Sequence, residues 1–170
     1  MRQHGLTFTE LLVSLSITAI LATLAVPAFS EQLSLLKLTR VLDNAALQLR
    51  RAQNLAIASS TNVTVSHAGG NNWCLVIALN ACDCKVAGGC KAVGGIPPVN
   101  IRTHADVTLE KSTYKAATHP TFSASSGGVS GQAGSLTFSI NNLSGKVIVS
   151  NQGRIRVCLL QRRFGGYAKC

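Results

Sequence analysis

Residues 5–30 read GLTFTELLVSLSITAILATLAVPAFS, and this stretch decides the fold of the 170-residue chain. No charged residue stands between Leu11 and Ser30, where Leu, Val, Ile and Ala dominate. Counted from Leu6, the run reaches the roughly 20 residues that a helix needs to span a bilayer. Arg2 on the short N-terminal side is a positive-inside signal, which places the rest of the chain outside the cytoplasm. The sequence therefore predicts a single membrane-spanning helix over residues 6–30.

Two simpler interpretations of this segment leave features unexplained. A secretory signal peptide has an apolar core of about 7–15 residues and a small-x-small cleavage site after it; this run is longer, and no such site follows promptly. A plain membrane anchor fits the length but not Glu10, because a lone carboxylate in an apolar run is costly and usually functional.

Gly5-Leu6-Thr7-Phe8-Thr9-Glu10 resembles the prepilin peptidase site of type IV pilins and type II secretion pseudopilins. In that family the peptidase cleaves after the glycine, and the new N-terminal residue is methylated. The resemblance implies a cleaved leader over residues 1–5, with cleavage after Gly5 and methylation of Leu6. Many family members have Phe where this chain has Leu6, which is a departure from the pattern.

The same resemblance implies assembly into a filament of pilin subunits. Glu10 is fifth from Leu6, the position of the family's glutamate, and a buried carboxylate needs a cationic partner. In the family that partner is the free N-terminal amine, commonly of a neighbouring subunit. Pro27 stands twenty-second from Leu6, where many pilins carry a helix-kinking proline. The segment is expected to serve first as an inner-membrane anchor and then as filament core.

Residues 31–60 form an amphipathic continuation of the helix. Apolar residues recur at alternating three- and four-residue steps, which is one helical face; they are Leu35, Leu38, Leu42, Ala45, Leu49, Ala52 and Ala56. Most charged residues lie off this stripe. We expect a helix from Leu6 to about Ala58, roughly 80 Å long at 1.5 Å per residue, whose second half packs on a sheet.

Residues 61–170 change to a period-two pattern and predict a β-rich domain in the periplasm, later at the pilus or cell surface. The predicted strands are 61–66, 73–79, 99–102, 107–110, 136–140, 146–150 and 155–160, and the last three form a meander. The connections are predicted at 68–72, 141–145 and 151–153, with longer loops at 80–98 and 123–135. A long helix followed by short antiparallel strands predicts an α+β, pilin-like fold.

The six cysteines all lie beyond the membrane segment, in an oxidising compartment, so disulfides are expected; they are Cys74, Cys82, Cys84, Cys90, Cys158 and Cys170. We expect Cys158 and Cys170 to close the C-terminal tail and Cys74 to join the 82–90 loop. Cys82 and Cys84 point opposite ways on an extended chain and are poor partners for each other. A zinc site of Cys82, Cys84, Cys90 and His67 is the alternative, but the spacing does not match usual ligand pairs.

Nothing in the sequence requires an enzyme, a cofactor or a metal. Asp83, Asp106 and Glu110 are scattered without paired-carboxylate spacing, and no phosphate-binding glycine loop or nucleophile motif is present.

Charge is uneven along the chain. The whole chain has 16 basic and 6 acidic residues, and no acid follows Glu110. The basic residues with which we predict a DNA-binding surface lie near the C-terminus, around a turn glycine; the set is Lys146, Gly153, Arg154, Arg156, Arg162, Arg163 and Lys169. Arg154 and Arg156 are two apart on a strand, so their side chains share a face. Arginine forks match phosphate oxygens, and the nearby rings of Phe164 and Tyr167 can stack on bases.

The anchor, the helix end at residues 49–56 and the C-terminal hairpin together resemble the FimT/GspH-type minor pilins. Gly153-Arg154-Ile155-Arg156 matches the GRxR pattern of FimT-type members, which is implicated in binding DNA during natural transformation. The resemblance implies a minor pilin that holds extracellular double-stranded DNA by its backbone. The alternatives are a structural or priming pilin, or a GspH-like type II secretion pseudopilin, without DNA binding, and an adhesin that uses the 80–98 loop.

Overall fold

The computed structural model describes residues 7–100, 103–114, 118–129, 133–161 and 163–170, and for residues 24–28 it describes the backbone alone. Helix α1 spans Phe8–Ser59. Nine strands follow within the described residues: β1 Val63–Ala68, β2 Cys74–Ala78, β3 Val99–Asn100, β4 Thr108–Ser112, β5 Thr121–Phe122, β6 Gly134–Ile140, β7 Leu143–Val149, β8 Ile155–Leu159 and β9 Ala168–Lys169. The predicted α+β fold is confirmed.

The chain divides into two compact units, residues 1–35 and residues 36–170. In the first unit, helix α1 begins after Thr7, whose hydroxyl accepts the backbone N–H of Glu10 at 3.3 Å. Thr7 and Glu10 therefore stand at the N-cap and N3 positions of a capping-box sequence. The first unit carries large apolar side chains on its surface from Phe8 to Leu21.

The predicted membrane segment, residues 6–30, starts outside the described part of the chain. In the part that the structure describes, no helix is both long enough and apolar enough to cross a membrane.

The second half of α1 buries the predicted apolar stripe. Every residue of the predicted apolar stripe is buried, from Leu35 to Ala56. Arg40, Asp43, Arg50 and Arg51 are exposed, as expected for positions off the stripe. Helix α1 ends at Ser59, and Ser60 takes a left-handed backbone conformation with a φ of 51°.

The strands of the second unit form two sheets rather than one. A four-stranded sheet has the order β3-β2-β1-β5, and a five-stranded sheet has the order β4-β6-β7-β8-β9. The predicted meander is confirmed as β6, β7 and β8, which pair antiparallel. Strands β5 and β9 were not predicted, because two residues are too few to show a period. Strand β9 pairs parallel to β8.

The predicted connection over residues 141–145 is wrong. Ile140 pairs with Leu143, so only Asn141 and Asn142 form the turn. Gly145 lies inside β7, where the buried positions are Leu143, Gly145, Val147 and Val149. Because Gly145 has no side chain, the period-two pattern of apolar residues in β7 is interrupted in the sequence, although the buried positions in the structure follow it without a break. The predicted loop 123–135 is likewise too long, since β6 begins at Gly134.

Three disulfides join Cys74 to Cys84, Cys82 to Cys90, and Cys158 to Cys170. Both expected links are confirmed, one closing the tail and one tying Cys74 to the 82–90 loop. The alternative zinc site is wrong, because it needs thiolates and all three of its cysteines are oxidised to disulfides.

Candidate nucleic-acid interface

The candidate site is built on the β7–β8 connection, which we call the basic hairpin (residues 146–156). Val149 and Ile155 are its last paired residues. Beyond them the Ser150 N–H donates to the Arg154 carbonyl at 3.0 Å, and the Gly153 N–H donates to the Ser150 carbonyl at 2.9 Å. The Arg154 N–H donates to the Ser150 hydroxyl at 3.1 Å. These bonds define the backbone from which both arginines project.

Pairing register assigns the basic side chains to one face of the five-stranded sheet. Gly145 is one of the buried residues of β7, and a Cβ on it would lie 2.4 Å from Cδ1 of Leu42 on α1, so the buried side of β7 faces the helix. Lys146 and Ile148 alternate with these buried residues and lie on the opposite face, here called the outer face. Arg156 pairs with Ile148 and therefore shares the outer face. Arg154 stands two residues earlier on the same side, and both arginines are exposed.

Lys111 is a basic residue of the outer face that the predicted site did not include. It pairs with Thr137 of β6, and Thr137 pairs with Lys146 of β7. Lys111 and Lys146 thus stand in one cross-strand row. Spacing along the chain does not assign Lys111 to the site, because it lies far from the hairpin in sequence. It also follows Glu110 at a bulge in β4, which interrupts the alternation of side chains.

The two arginines are separated from the nearest acidic residues of the sheet. Glu110 precedes Lys111 on β4, at one edge of the sheet, and two strands separate it from β8. Asp43 lies on α1, where it accepts the hydroxyl of Tyr167. Exposed arginines without a nearby acid can bind the phosphate oxygens of a nucleic acid.

Gly153, the turn glycine of the basic hairpin, packs against the protein rather than facing a ligand. A glycine in a turn can let the backbone approach a ligand closely, but Gly153 is buried. Its φ is +80°, and an added Cβ would lie 2.3 Å from the carbonyl oxygen of Gly127 and 2.4 Å from Nε2 of Gln53. The close approach that requires glycine is therefore to the protein itself.

The remaining predicted basic residues lie along the C-terminal tail. Arg163 is exposed, and Lys169 is exposed on β9. Lys169 pairs with Leu159, which lies on the helix-facing side of β8. Because paired residues point to the same face of a sheet, Lys169 does not lie on the outer face. Arg162 lies outside the described residues.

Phe164 and Tyr167 form a tight turn around Gly165 and Gly166. The Tyr167 N–H donates to the Phe164 carbonyl at 2.9 Å, and both glycines have positive φ, as a type I′ turn requires. The Tyr167 hydroxyl donates to a carboxylate oxygen of Asp43. Partial burial, followed by this bond and the charge of Asp43, raises the pKa of Tyr167 to about 12. Tyr167 is thus held by α1, which leaves its ring less free to stack on a base.

The predicted processing and assembly residues lie in the first unit. Gly5 and Leu6 are outside the described residues. Glu10 is exposed in the first turn of α1. Pro27 lies within α1, and the helix continues on both sides of it.

A second polar cluster surrounds His67 on β1. Its Nε2 lies 2.8 Å from the Ser112 hydroxyl, and its Nδ1 lies 3.1 Å from Nδ1 of His119. Burial, and then the nearby His119, lowers the pKa of His67 to about 4. Across the described part of the chain, no group of three or more His, Cys, Asp and Glu side chains has metal-binding geometry.

Comparison with known proteins gives two family matches. The family model described as Type II transport protein GspH matches residues 43–153, and the model described as Prokaryotic N-terminal methylation motif matches residues 1–26. No curated protein gives a significant match.

Two solved structures are similar, both of the type IV minor pilin FimU from Pseudomonas aeruginosa (strain PAO1). One has 16% sequence identity, covers 71% of this chain and 91% of that chain, and has a TM-score of 0.48. The other, from a second crystal form, has 17% identity, covers 76% and 91%, and has a TM-score of 0.51. The latter similarity shows a shared fold.

Proposed function

This chain belongs to the GspH family of pilins and pseudopilins, and we propose that it is a minor pilin that binds extracellular DNA through its basic hairpin for natural transformation. The family match over residues 43–153 gives the minor pilin or pseudopilin role. The DNA-binding function is our inference from the hairpin.

One observation carries the proposal: Arg154 and Arg156 are both exposed at positions that alternation along the chain assigns to the outer face. Two residues along a strand span about 6.7 Å, so the guanidinium groups are suited to successive phosphates of one DNA strand. Lys146 and Lys111 extend the positive charge across the sheet. Binding through phosphates should be largely independent of sequence and strongly weakened by salt.

The first thirty residues support display of this site on a filament. The methylation-motif match over residues 1–26 supports cleavage after Gly5 and methylation of Leu6 by a prepilin peptidase. The exposed apolar surface of α1, with Phe8 76% exposed, needs cover from lipid or from neighbouring subunits. We propose that residues 6–30 anchor the chain in the inner membrane with residues 61–170 in the periplasm, and that residues 6–30 then enter the filament, where Glu10 pairs with a neighbour's N-terminal amine.

The test is DNA binding by the full chain in an uncharged detergent, measured at several salt concentrations. We expect Arg154→Ala with Arg156→Ala to weaken binding and to reduce the slope of log affinity against log salt by nearly two units, one for each lost phosphate contact. The matched control is Arg40→Ala with Lys91→Ala, which removes the same charge from exposed positions elsewhere. Equal slopes in the parent and in both double variants would contradict the proposed site.

The second candidate is a structural pseudopilin of a type II secretion system that does not bind DNA. The description of the matching family, a type II transport protein, favours it. It predicts that the parent chain has no measurable affinity for double-stranded DNA even at low salt.

A further inference from the structure

Gln53 connects the helix to the basic hairpin. It lies near the C-terminal end of α1 and is half-buried. Its side-chain nitrogen Nε2 donates to the carbonyl of Gly127 at 2.8 Å and to the carbonyl of Gly153 at 3.1 Å. A primary amide has two N–H donors, so these two bonds use both of them.

The two glycines allow this contact because neither has a side chain. Besides the clash at Gly153, a Cβ on Gly127 would lie 2.9 Å from Cδ1 of Ile57 and 3.3 Å from Cγ of Gln53. Gly127 has a φ of +64°, in the left-handed region that favours glycine. The backbones of two separate segments therefore meet at one helical side chain.

The loop that contains Gly127 also bonds directly to the hairpin. The Val129 N–H donates to the Asn151 carbonyl at 2.9 Å, and the Ala133 N–H donates to the Asn151 side-chain oxygen at 3.2 Å. The loop is closed on itself, since the Ser123 N–H donates to the Gly128 carbonyl at 2.8 Å. The buried side of the hairpin tip is thus bonded to helix and loop, while its arginines are exposed.

We infer that Gln53 is a positioning residue for DNA binding, holding the hairpin tip so that Arg154 and Arg156 face one phosphate chain before DNA arrives. The inference rests on the proposed function. Gln53 itself does not touch the DNA. When a binding-competent arrangement is only partly populated, the apparent dissociation constant rises as that fraction falls. Loss of the two bonds should therefore weaken binding without removing any phosphate contact.

The test compares Gln53→Leu with Gln48→Leu in the full chain. Gln48 is a matched control, because it lies on the same helix and its Nε2 donates to a different loop, at the Pro97 carbonyl, at 2.7 Å. We expect Gln53→Leu to bind double-stranded DNA about tenfold more weakly, as follows from losing hydrogen bonds of ordinary strength, with the parental salt slope. Gln48→Leu should keep the parental affinity.

Amide hydrogen exchange provides the second measurement. In Gln53→Leu the Gly153 and Val129 N–H groups should exchange faster than in the parent and in Gln48→Leu. Gln53→Met, of similar length and also without a donor, repeats the comparison if the leucine variant does not fold. Parental affinity in a folded Gln53 variant would overturn the positioning role alone, whereas absence of DNA binding by the parent would overturn the proposed function.

Discussion

A Cβ atom on Gly145 would lie 2.4 Å from Cδ1 of Leu42, well inside van der Waals contact. Gly145 is a buried residue in the middle of β7, and Leu42 is fully buried on α1. The missing side chain is what allows helix and sheet to come this close. The contact explains why a glycine occupies a strand position that would otherwise carry an apolar residue.

Gly145→Ala should destabilise the fold. The new methyl group meets Leu42, and also Leu159 Cδ2 at 3.1 Å, so the packed core must shift. Overpacking of this kind costs about 1–3 kcal/mol in the free energy of unfolding. The single tryptophan, Trp73, is fully buried, so its fluorescence can follow urea unfolding.

A double-mutant cycle isolates the contact behind that prediction. In a Leu42→Ala background the space for the added methyl group exists, so Gly145→Ala should cost less than it does in the parent chain. An equal cost in both backgrounds would show that Leu42 is not the obstacle.

Gly153→Ala should destabilise the fold more than Gly70→Ala. Both glycines have positive φ, +80° and +91°, so each substitution pays the same conformational penalty of about 1–2 kcal/mol. Only Gly153 adds a clash, because nothing lies within 4 Å of a Cβ on Gly70. Thermal unfolding of the two variants measures the difference, and similar losses would argue against tight packing at the hairpin.

Stability should fall in acid because of His67. Its pKa is about 4 in the folded chain, lowered first by burial and then by the nearby His119, against an ordinary value of 6.5. The folded state therefore binds fewer protons than the unfolded state between these values. The contribution of neutral His67 is complete above pH 6.5 and is lost as the pH falls towards 4.

The corresponding measurement is the free energy of unfolding from urea titrations across that pH range. The parent should lose at most about 1.4 kcal/mol per pH unit from this group. His67→Gln should flatten the dependence, since glutamine does not titrate. An unchanged slope in His67→Gln would assign the acid sensitivity to other groups.

Replacing Cys158 and Cys170 together by serine should release β9 and lower stability. The disulfide closes a segment with a sequence separation of 12, for which chain entropy gives about 3 kcal/mol. The Cys170 N–H, which donates to the Leu159 carbonyl at 2.9 Å, should then exchange rapidly with solvent. Cys82→Ser with Cys90→Ser is the control: it removes a disulfide elsewhere, and rapid exchange at Cys170 in that variant would contradict a local effect.

The amphipathic half of the helix was predictable because burial there follows a strict local period. From Leu38 to Ala56 each apolar step of three or four residues places a side chain on one face, whatever lies opposite. The same logic predicted β6, β7 and β8. It failed where glycine interrupted the period, at Gly145, and where a strand has only two residues, as in β9.

The basic hairpin was only partly predictable. Alternation along an extended chain assigned Arg154 and Arg156 to one face, because side chains two apart point the same way. The addition of Lys111 needed the strand order, and the separation of Lys169 needed the register of β8 and β9. Neither follows from spacing along the chain.

The sequence by itself determined the long helix, its apolar stripe, the period-two strands and the excess of positive charge after Glu110, since each is a local property of residue type and spacing. Tertiary structure alone decided which glycines are packing contacts, that Gln53 bonds to Gly127 and Gly153, and that Lys111 lies on the outer face whereas Lys169 does not. The two Gln53 bonds join residues 74 and 100 positions apart. Close approach between distant segments depends on the packing of the whole fold, and no local pattern in the chain encodes it.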